Sequence, residues 1–514
     1  MLKSISLILI LIAVLLMAAR LYYQPPSLNG RPVSQAVMAS ADTVLGALAL
    51  DEPTASTEVS GVLPLIDGPD AFAARLALIQ ASQAALDVQY YIWQRDATGL
   101  ILLDELRKAA ERGVRIRLLL DDNGIAGLDG ELAALDALPS VEVRLFNPFI
   151  LRKPKAIGYA FDFVRLNRRM HNKSLTADGA MSILGGRNIG DIYFGFGAGV
   201  HYVDTDVLVA GPAAANVGAD FDAYWASASA HPFDRVVSVS GSMKTDLLQR
   251  EAAEARVSAE GQLYMQRLRD LDLRTQIAAG QIAFEWTKVT LVSDDPAKGI
   301  GRARQPDLLF PQLMALLNRP EQSIDLVSAY FVPGRQFTDR LAQASAAGVR
   351  VRILTNSQAA TDVMVVHSAY VKYRPALLRA GVELLELKPE HATEDEPNPP
   401  GGSSRASLHS KTLAIDSKRI FIGSFNFDPR SVMLNTEMGV LIDSPRIAGA
   451  LADTFSSDFP QRSYRAVLAN GDTLAWEEYT ATGGSLRHQI EPGTTVWSRL
   501  FVSFLGLLPI EWLL

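Results

Sequence analysis

The stretch MHNKSLTADGAMSILGGRN, Met170 to Asn188, returns as LHSKTLAIDSKRIFIGSFN, Leu408 to Asn426. Leu86 and Ile324, His171 and His409, Asp178 and Asp416, and Asn188 and Asn426 all keep the same spacing of 238 residues. One offset held over that much chain means a duplicated domain and not a short motif that happens to recur. Gly113 and Gly348 are 235 apart, which places one short insertion or deletion in a surface loop. Any fold for this chain must therefore hold two copies of one unit, and a pseudo-twofold arrangement is expected.

Each copy has the local pattern of an α/β unit. LDVQYYIW (Leu86 to Trp93) and IDLVSAYF (Ile324 to Phe331) are strand-like runs, each followed by a helical stretch and a second strand, RGVRIRLLLDD or AGVRVRILTNS. Strand, crossover helix and strand predict parallel pairing, hence mixed sheets flanked by helices in two homologous domains. The boundaries read as a membrane segment at 1–23, a Pro/Gly/Ser-rich tether at 24–60 and a first domain at 61–233. A charged helical connector at 234–290, a second domain at 291–465 and a tail at 466–514 follow.

Inside each phrase, alternation along a strand puts His171 beside Lys173 and His409 beside Lys411 on one face. Asp178-Gly179 reads as a hairpin turn, and the glycines at 185 and 186 read as positions where backbone approaches a ligand closely. Asn188 and Asn426 close the two units. One unit supplies a nucleophile or base, a fixed positive charge and an amide, and two facing units supply what phosphoryl transfer needs. One histidine attacks phosphorus, the other protonates the leaving oxygen, and Lys173, Lys411, Asn188 and Asn426 hold the phosphate oxygens. Asp178 and Asp416 belong to the repeated set, though their turn positions point to local hydrogen bonding as supporting residues. No metal or other cofactor is expected, because lysine is a poor ligand and the spacing gives poor coordination geometry. His201, His231 and His367 read as structural.

HxKxxxxD followed by GGxN or GSxN, twice, resembles the phospholipase D superfamily, and the likeness spans most of Gly61 to Arg465. RMHNKSLTADG, GGRNIGDIYF, DTDVLVAGP, SLHSKTLAID, GSFNFDPRS, LNTEMG and the terminal LLPIEWLL narrow it to bacterial cardiolipin synthases of the C type. The resemblance implies a covalent phosphohistidine on His171, with His409 as general acid and then base. It also implies a carboxylate orienting each histidine, at the matching positions Asp206 and Glu437.

The superfamily acts on lipids and on nucleic acids, so the substrate is read from other features. The net charge of −7 and a pI near 5.6 disfavour a nucleic-acid partner. The uncharged run from Ser4 to Ala19 reads as an uncleaved membrane anchor, since Arg20 and the pair Tyr22 and Tyr23 follow it in place of a cleavage site. Trp497, Phe501, Phe504, Leu505 and Leu508 fall at helical spacing as an interfacial segment, with Trp512 just beyond. Arg152, Lys153, Lys155, Arg165, Arg168 and Arg169, interleaved with Phe149, Tyr159, Phe161 and Phe163, form a basic island suited to an anionic donor lipid. Glu386, Glu390, Glu394, Asp395 and Glu396 form an acidic counterpart before His409, suited to an acceptor with a cationic headgroup. The expected partners are phosphatidylglycerol, phosphatidylethanolamine and the bacterial inner membrane, with the catalytic domains favoured on its periplasmic side. With no cysteine, neither disulfides nor thiolate chemistry enters.

Overall fold

The computed structural model describes residues 2–50, 58–197, 201–238, 245–270, 273–279, 281–317, 319–389, 406–469, 472–480 and 484–514. The first half contains β1 (Val59–Leu65), β2 (Ala85–Ile92), β3 (Arg115–Gly124), β4 (Val141–Phe146), β5 (Ser174–Ala177), β6 (Met181–Gly185), β7 (His201–Val203), β8 (Asp206–Ala210) and β9 (Ala230–Pro232). The second contains β10 (Glu285–Ser293), β11 (Ser323–Ser328), β12 (Arg350–Asn356), β13 (Glu383–Leu387), β14 (Ala406–Leu408), β15 (Lys411–Ile415), β16 (Arg419–Gly423), β17 (Met438–Ile442), β18 (Ser463–Ala469), β19 (Thr473–Tyr479) and β20 (Ser485–His488).

By pairing, the first half runs β9-β4-β3-β2-β5-β6-β8-β1 and the second runs β10-β17-β16-β15-β11-β12-β13-β18-β19-β20. The strands predicted from the βαβ pattern, β2 and β3 in one half and β11 and β12 in the other, pair in parallel, and β4 and β13 each add one more parallel strand. The hairpins of the repeated phrases, β5-β6 and β15-β16, pair antiparallel. β1 and β10 join the halves, with Val59 opposite Lys288. The duplication reaches the buried charges: Asp87 and Arg117 face each other across β2 and β3 at 2.7 Å, as Asp325 and Arg352 do across β11 and β12 at 2.6 Å.

Each half has its own apolar core, and a third apolar cluster lies between them. There Leu184, Val207 and Val209 of the first half meet Ile422, Met438 and Val440 of the second. Those strand faces are buried on both sides, which explains why the LLLDD, MSILG and IFIG runs are apolar without alternation. The close packing fixes the two repeated phrases relative to each other.

The boundaries differ from the sequence reading in three places. Residues 24–50 do not run free as a tether: Arg31 donates to the carbonyls of Ser227 and Ala230, Ala36 N–H donates to Asp222, and Leu45 and Ala49 are buried. The rest of that span, 51–57, lies outside the described residues. The connector ends earlier than 290, at the start of β10, and its helices pack on the first half, where Arg256 pairs with Asp104 and Glu105. The tail begins later than 466, because β18, β19 and β20 extend the second sheet. At the N-terminus, the helix Leu2–Tyr22 has 21 residues and its apolar stretch is wholly exposed, which at 1.5 Å per residue gives about 30 Å, the thickness of a bilayer core.

Candidate active site

β5 and β15 deliver the repeated residues to the seam between the halves. His171 N–H donates to the carbonyl of Thr436 in the second half at 2.8 Å, and His409 N–H donates to the carbonyl of Val203 in the first half at 2.8 Å. The residue following each of those carbonyls is a buried carboxylate. Glu437 Oε2 lies 2.8 Å from His171 Nδ1, and Asp204 Oδ2 lies 2.5 Å from His409 Nδ1. Each histidine is thus held by main chain and carboxylate of the other half, a crossed arrangement that uses the pseudo-twofold relation directly. A carboxylate on Nδ1 fixes the tautomer with its proton there and leaves Nε2 with its lone pair. Neither Nε2 has a partner among the described residues.

The expected Asp206 is corrected to Asp204. Asp206 accepts from Arg75 Nη2 at 2.8 Å and from Arg187 N–H at 3.1 Å, and it touches no histidine. The strings DTD and NTE align Thr205 with Thr436 and so Asp206 with Glu437. The ladder sets another register: Asp206 faces Gly185, and Gly439 faces Gly423. Since Gly185 and Gly423 are equivalent, Glu437 is equivalent to Asp204, at a spacing of 233. Gly186 has a related explanation. A Cβ there would meet Asp204 Oδ1 at 2.1 Å, so this glycine makes room for the carboxylate and not for a ligand.

The two halves are not identical around the histidines. Position 186 is Ser424 in the second copy, and Tyr193 is Ser431. Ser424 Oγ donates to Glu437 Oε2 at 2.5 Å, and Ser431 Oγ donates to Glu437 Oε1 at 2.9 Å, so this carboxylate divides its charge among three donors. Asp204 accepts from His409 and from Thr205 N–H. Aromatic rings complete the surroundings: Tyr91 stands edge-on to His171 at 5.0 Å, Tyr193 edge-on to His409 at 5.2 Å, and Tyr202 stacks on His409 at 5.0 Å. Glu437 was given by the family resemblance. Asp204, Tyr193 and Tyr202 were not, because their partner His409 lies in the other half, and Ser424 and Ser431 were not, because the first copy has Gly186 and Tyr193 at their positions.

Lys173 and Lys411 are buried beside the histidines, as alternation predicts, and each Nζ donates to the carbonyl of its own histidine, Lys173 at 2.5 Å. Burial pushes the Lys173 ammonium down to about 7, and Lys411 is lowered for the same reason. Burial likewise drives the His171 imidazole down to about 4, with Glu437 opposing and Lys173 and Lys411 adding to the effect. His409 is lowered by burial and then by Lys411, with Asp204 pulling it back up and Lys173 lowering it further. Each lysine acts on the histidine of the opposite half, so the four residues form one electrostatic unit. An anionic phosphate would relieve its excess positive charge.

Asn188 Nδ2 donates to Tyr193 Oη at 2.9 Å and its Oδ1 accepts from Ile92 N–H at 3.1 Å, so this amide sets the tyrosine that flanks His409. Asn426 is buried, and its Oδ1 has no partner among the described residues. Asp178 and Asp416 sit at the far ends of β5 and β15 from the histidines, both at positive φ in the hairpin turns. Asp178 accepts the N–H groups of Gln83, Ala84 and Ala85, and Asp416 those of Glu321, Gln322 and Ser323. Their place among the catalytic residues is therefore corrected: they pin the turn to the start of β2 or β11 and do not reach the histidines.

Two surface readings also change. Four of the six basic residues of the island pair internally, Arg152 and Lys155 with Asp122, Arg165 with Asp162 and Arg169 with Asp121, while Lys153 is exposed and Arg168 donates to the carbonyls of Lys298 and Met433. In the acidic counterpart Glu386 is buried against Arg374 at 2.9 Å and accepts from Tyr370 and Trp476; Glu390, Glu394, Asp395 and Glu396 lie outside the described residues.

The chain matches the family model described as cardiolipin synthase, PLD-like domain, over residues 76–225 and again over 313–459. It is 44% identical over 456 residues to cardiolipin synthase C of Escherichia coli K12, covering 88% of this chain and 96% of that one. It is 26% identical over 396 residues to a cardiolipin synthase of Staphylococcus aureus Mu50, covering 76% and 66%. Phosphatidylserine synthase of Haemophilus influenzae shares the fold with a TM-score of 0.57 over 89% of this chain and 98% of that one, at 14% identity. A family match in each half and near full-length similarity establish that the chain belongs to the cardiolipin synthase family of phospholipase D-like proteins.

Proposed function

We propose that the chain is a phosphatidyltransferase that moves a phosphatidyl group between phospholipids through a phosphohistidine. The observation that carries this reading is the crossed pairing of the two histidines with Glu437 and Asp204, beside two buried lysines. With phosphatidylglycerol as donor, His171 Nε2 attacks phosphorus and forms a P–N bond. The P–O bond to the glycerol headgroup breaks, and the departing oxygen takes a proton from His409 Nε2. The hydroxyl of a second lipid then gives its proton to His409 and attacks phosphorus, and the P–N bond breaks to restore His171. Lys173 and Lys411 neutralise the charge gathering on the equatorial oxygens.

The difference between the carboxylates supports this division of roles. Glu437 is shared with Ser424 and Ser431, which favours a neutral, nucleophilic His171. Asp204 has no hydroxyl donor among the described residues and supports a protonated His409. The exposed helix Leu2–Tyr22 supports anchoring in a membrane, where both substrates reside.

The test uses the purified full chain with isotope-labelled phosphatidylglycerol, with and without phosphatidylethanolamine, and lipid mass spectrometry. Labelled cardiolipin that is lost in His171→Ala supports the transferase. Phosphatidic acid alone would make water the acceptor, and unchanged lipid would overturn the reading.

A further inference from the structure

Asn426 is flanked by Phe425 and Phe427, and two further phenylalanines pack on them. Phe310 stacks on Phe425 at 5.7 Å and Phe337 stacks on Phe427 at 5.2 Å. These rings wall a cavity of about 260 Å³ that Val432 and Met433 also line. Phe337 and Arg340 also line a second apolar cavity of about 560 Å³, floored by Leu413 and Ile415.

The first half closes the same place with its own chain. Phe72 and Phe194 lie 238 residues before Phe310 and Val432. There Phe194 packs on Phe72 at 5.0 Å, and Tyr264 from the connector helix Ala259–Asp270 packs on Phe72 at 5.7 Å. In the second half the smaller Val432 leaves the slot open, and the late helix Val496–Gly506 packs elsewhere, with Gly506 against the carbonyl of Ser368. The charges at the rim are inverted as well. Acidic groups of the first half, Asp104, Glu105 and Asp67, receive arginines from the connector. Arg335 and Arg340 at the rim of the second-half cavity are exposed and have no ion pair among the described residues.

We propose that this cavity binds one acyl chain of an anionic phospholipid, with the lipid phosphate on Arg335 and Arg340. The proposal deepens the phosphatidyltransferase reading and rests on it for the class of ligand. Aromatic and aliphatic walls match a hydrocarbon chain, an unpaired cationic rim matches an anion, and the adjoining second cavity, at about 560 Å³, falls in the range of about 300–1,000 Å³ usual for ligand sites. A membrane-facing origin is supported by what lies beside the mouth. Met433 is 56% exposed, and Arg430, on the same short helix, donates through Nε to Leu513 O at 2.8 Å, which places Trp512 at the same edge. Elsewhere in the same C-terminal segment Trp497, Phe501 and Phe504 of the helix Val496–Gly506, and Leu507 just after it, are exposed too.

The full chain, reconstituted in phosphatidylcholine nanodiscs, is exposed to phosphatidylglycerol carrying a photoreactive group near the end of one acyl chain, and the labelled peptides are identified by mass spectrometry. The readout is binding, so it succeeds or fails independently of turnover. The expected label falls on the segments around 332–340 and 425–433, drops on the order of tenfold in R335E/R340E, and is displaced in Val432→Phe, which installs the ring that the first half carries at this position. Phosphatidylcholine with the same photoreactive chain labels those segments less. Label confined to residues 496–514, or cavity label indifferent to R335E/R340E, overturns the proposal, as does a co-purifying protein cross-linked in the cavity. If Val432→Phe does not fold, the surface variant R335E/R340E decides.

Discussion

Replacing Asp204 and Asp206 separately by Asn tests the crossed geometry, since the two carboxylates are two residues apart, face the same way and have different partners. Asp204 Oδ2 is 2.5 Å from His409 Nδ1, both wholly or nearly buried. An opposite charge at such range is worth about 1–3 pKa units to the protonated imidazole, and each unit is about 1.4 kcal/mol. Asp204→Asn should therefore slow a step that needs protonated His409 by a factor of about 10 to 1,000. It should also move the alkaline fall of the rate to lower pH, because His409 loses its proton more easily without the carboxylate. Asp206 instead neutralises Arg75, buried to 1% exposure. Breaking a buried pair of this kind costs about 3–5 kcal/mol, so Asp206→Asn should lower the thermal midpoint far more than it alters the pH profile of the folded fraction. The assay is turnover of phosphatidylglycerol across pH, with thermal unfolding of the same preparations. Full activity in Asp204→Asn, together with an Asp206→Asn protein that is stable but inactive, would refute the reasoning.

Other outcomes follow from the same charges. Lys173 is depressed to about 7, below its ordinary 10.5, so its ammonium is present below pH 7 and lost as pH rises through it; kcat/KM should fall above neutrality, and Lys173→Arg should push that fall to higher pH. Ser424→Ala with Ser431→Ala removes two hydroxyl donors from Glu437 and returns its charge to His171. The acid limb of kcat/KM, set near pH 4 by His171, should then move up by about 0.5–1 unit. Asp178→Ala leaves three N–H groups without their acceptor and should cost about 2–4 kcal/mol of stability, measured by denaturant unfolding, with little change in the pH profile.

The sequence carried the duplication, the α/β units and the histidine–lysine pairs, because each of these depends on periodicity within a strand or on one constant offset. It did not carry the identity of the first carboxylate. Asp204 and Asp206 are two residues apart, and which of them answers Glu437 is decided by the strand ladder, where the spacing is five residues shorter than the 238 of the repeated phrases. The tyrosines on His409 act across long separations, and the serines on Glu437 are not repeated in the first copy, where Gly186 and Tyr193 stand, so no repeated pattern announces them. Most of the basic island is used differently for a related reason. Its charge was legible as composition, while Asp121 and Asp122, some 30 to 50 residues upstream, cancel it in three dimensions.

The most direct test of the account is to trap the covalent intermediate. A phosphatidyl donor with a good leaving group, such as a nitrophenol ester, needs no general acid for the first step, so His409→Ala should accumulate a phosphatidyl adduct that it cannot pass to an acceptor. Peptide mass spectrometry should place the adduct on His171, and His171→Ala should form none. An adduct on His409 of the His171→Ala protein, or none in either variant despite turnover by the parent chain, would contradict the account.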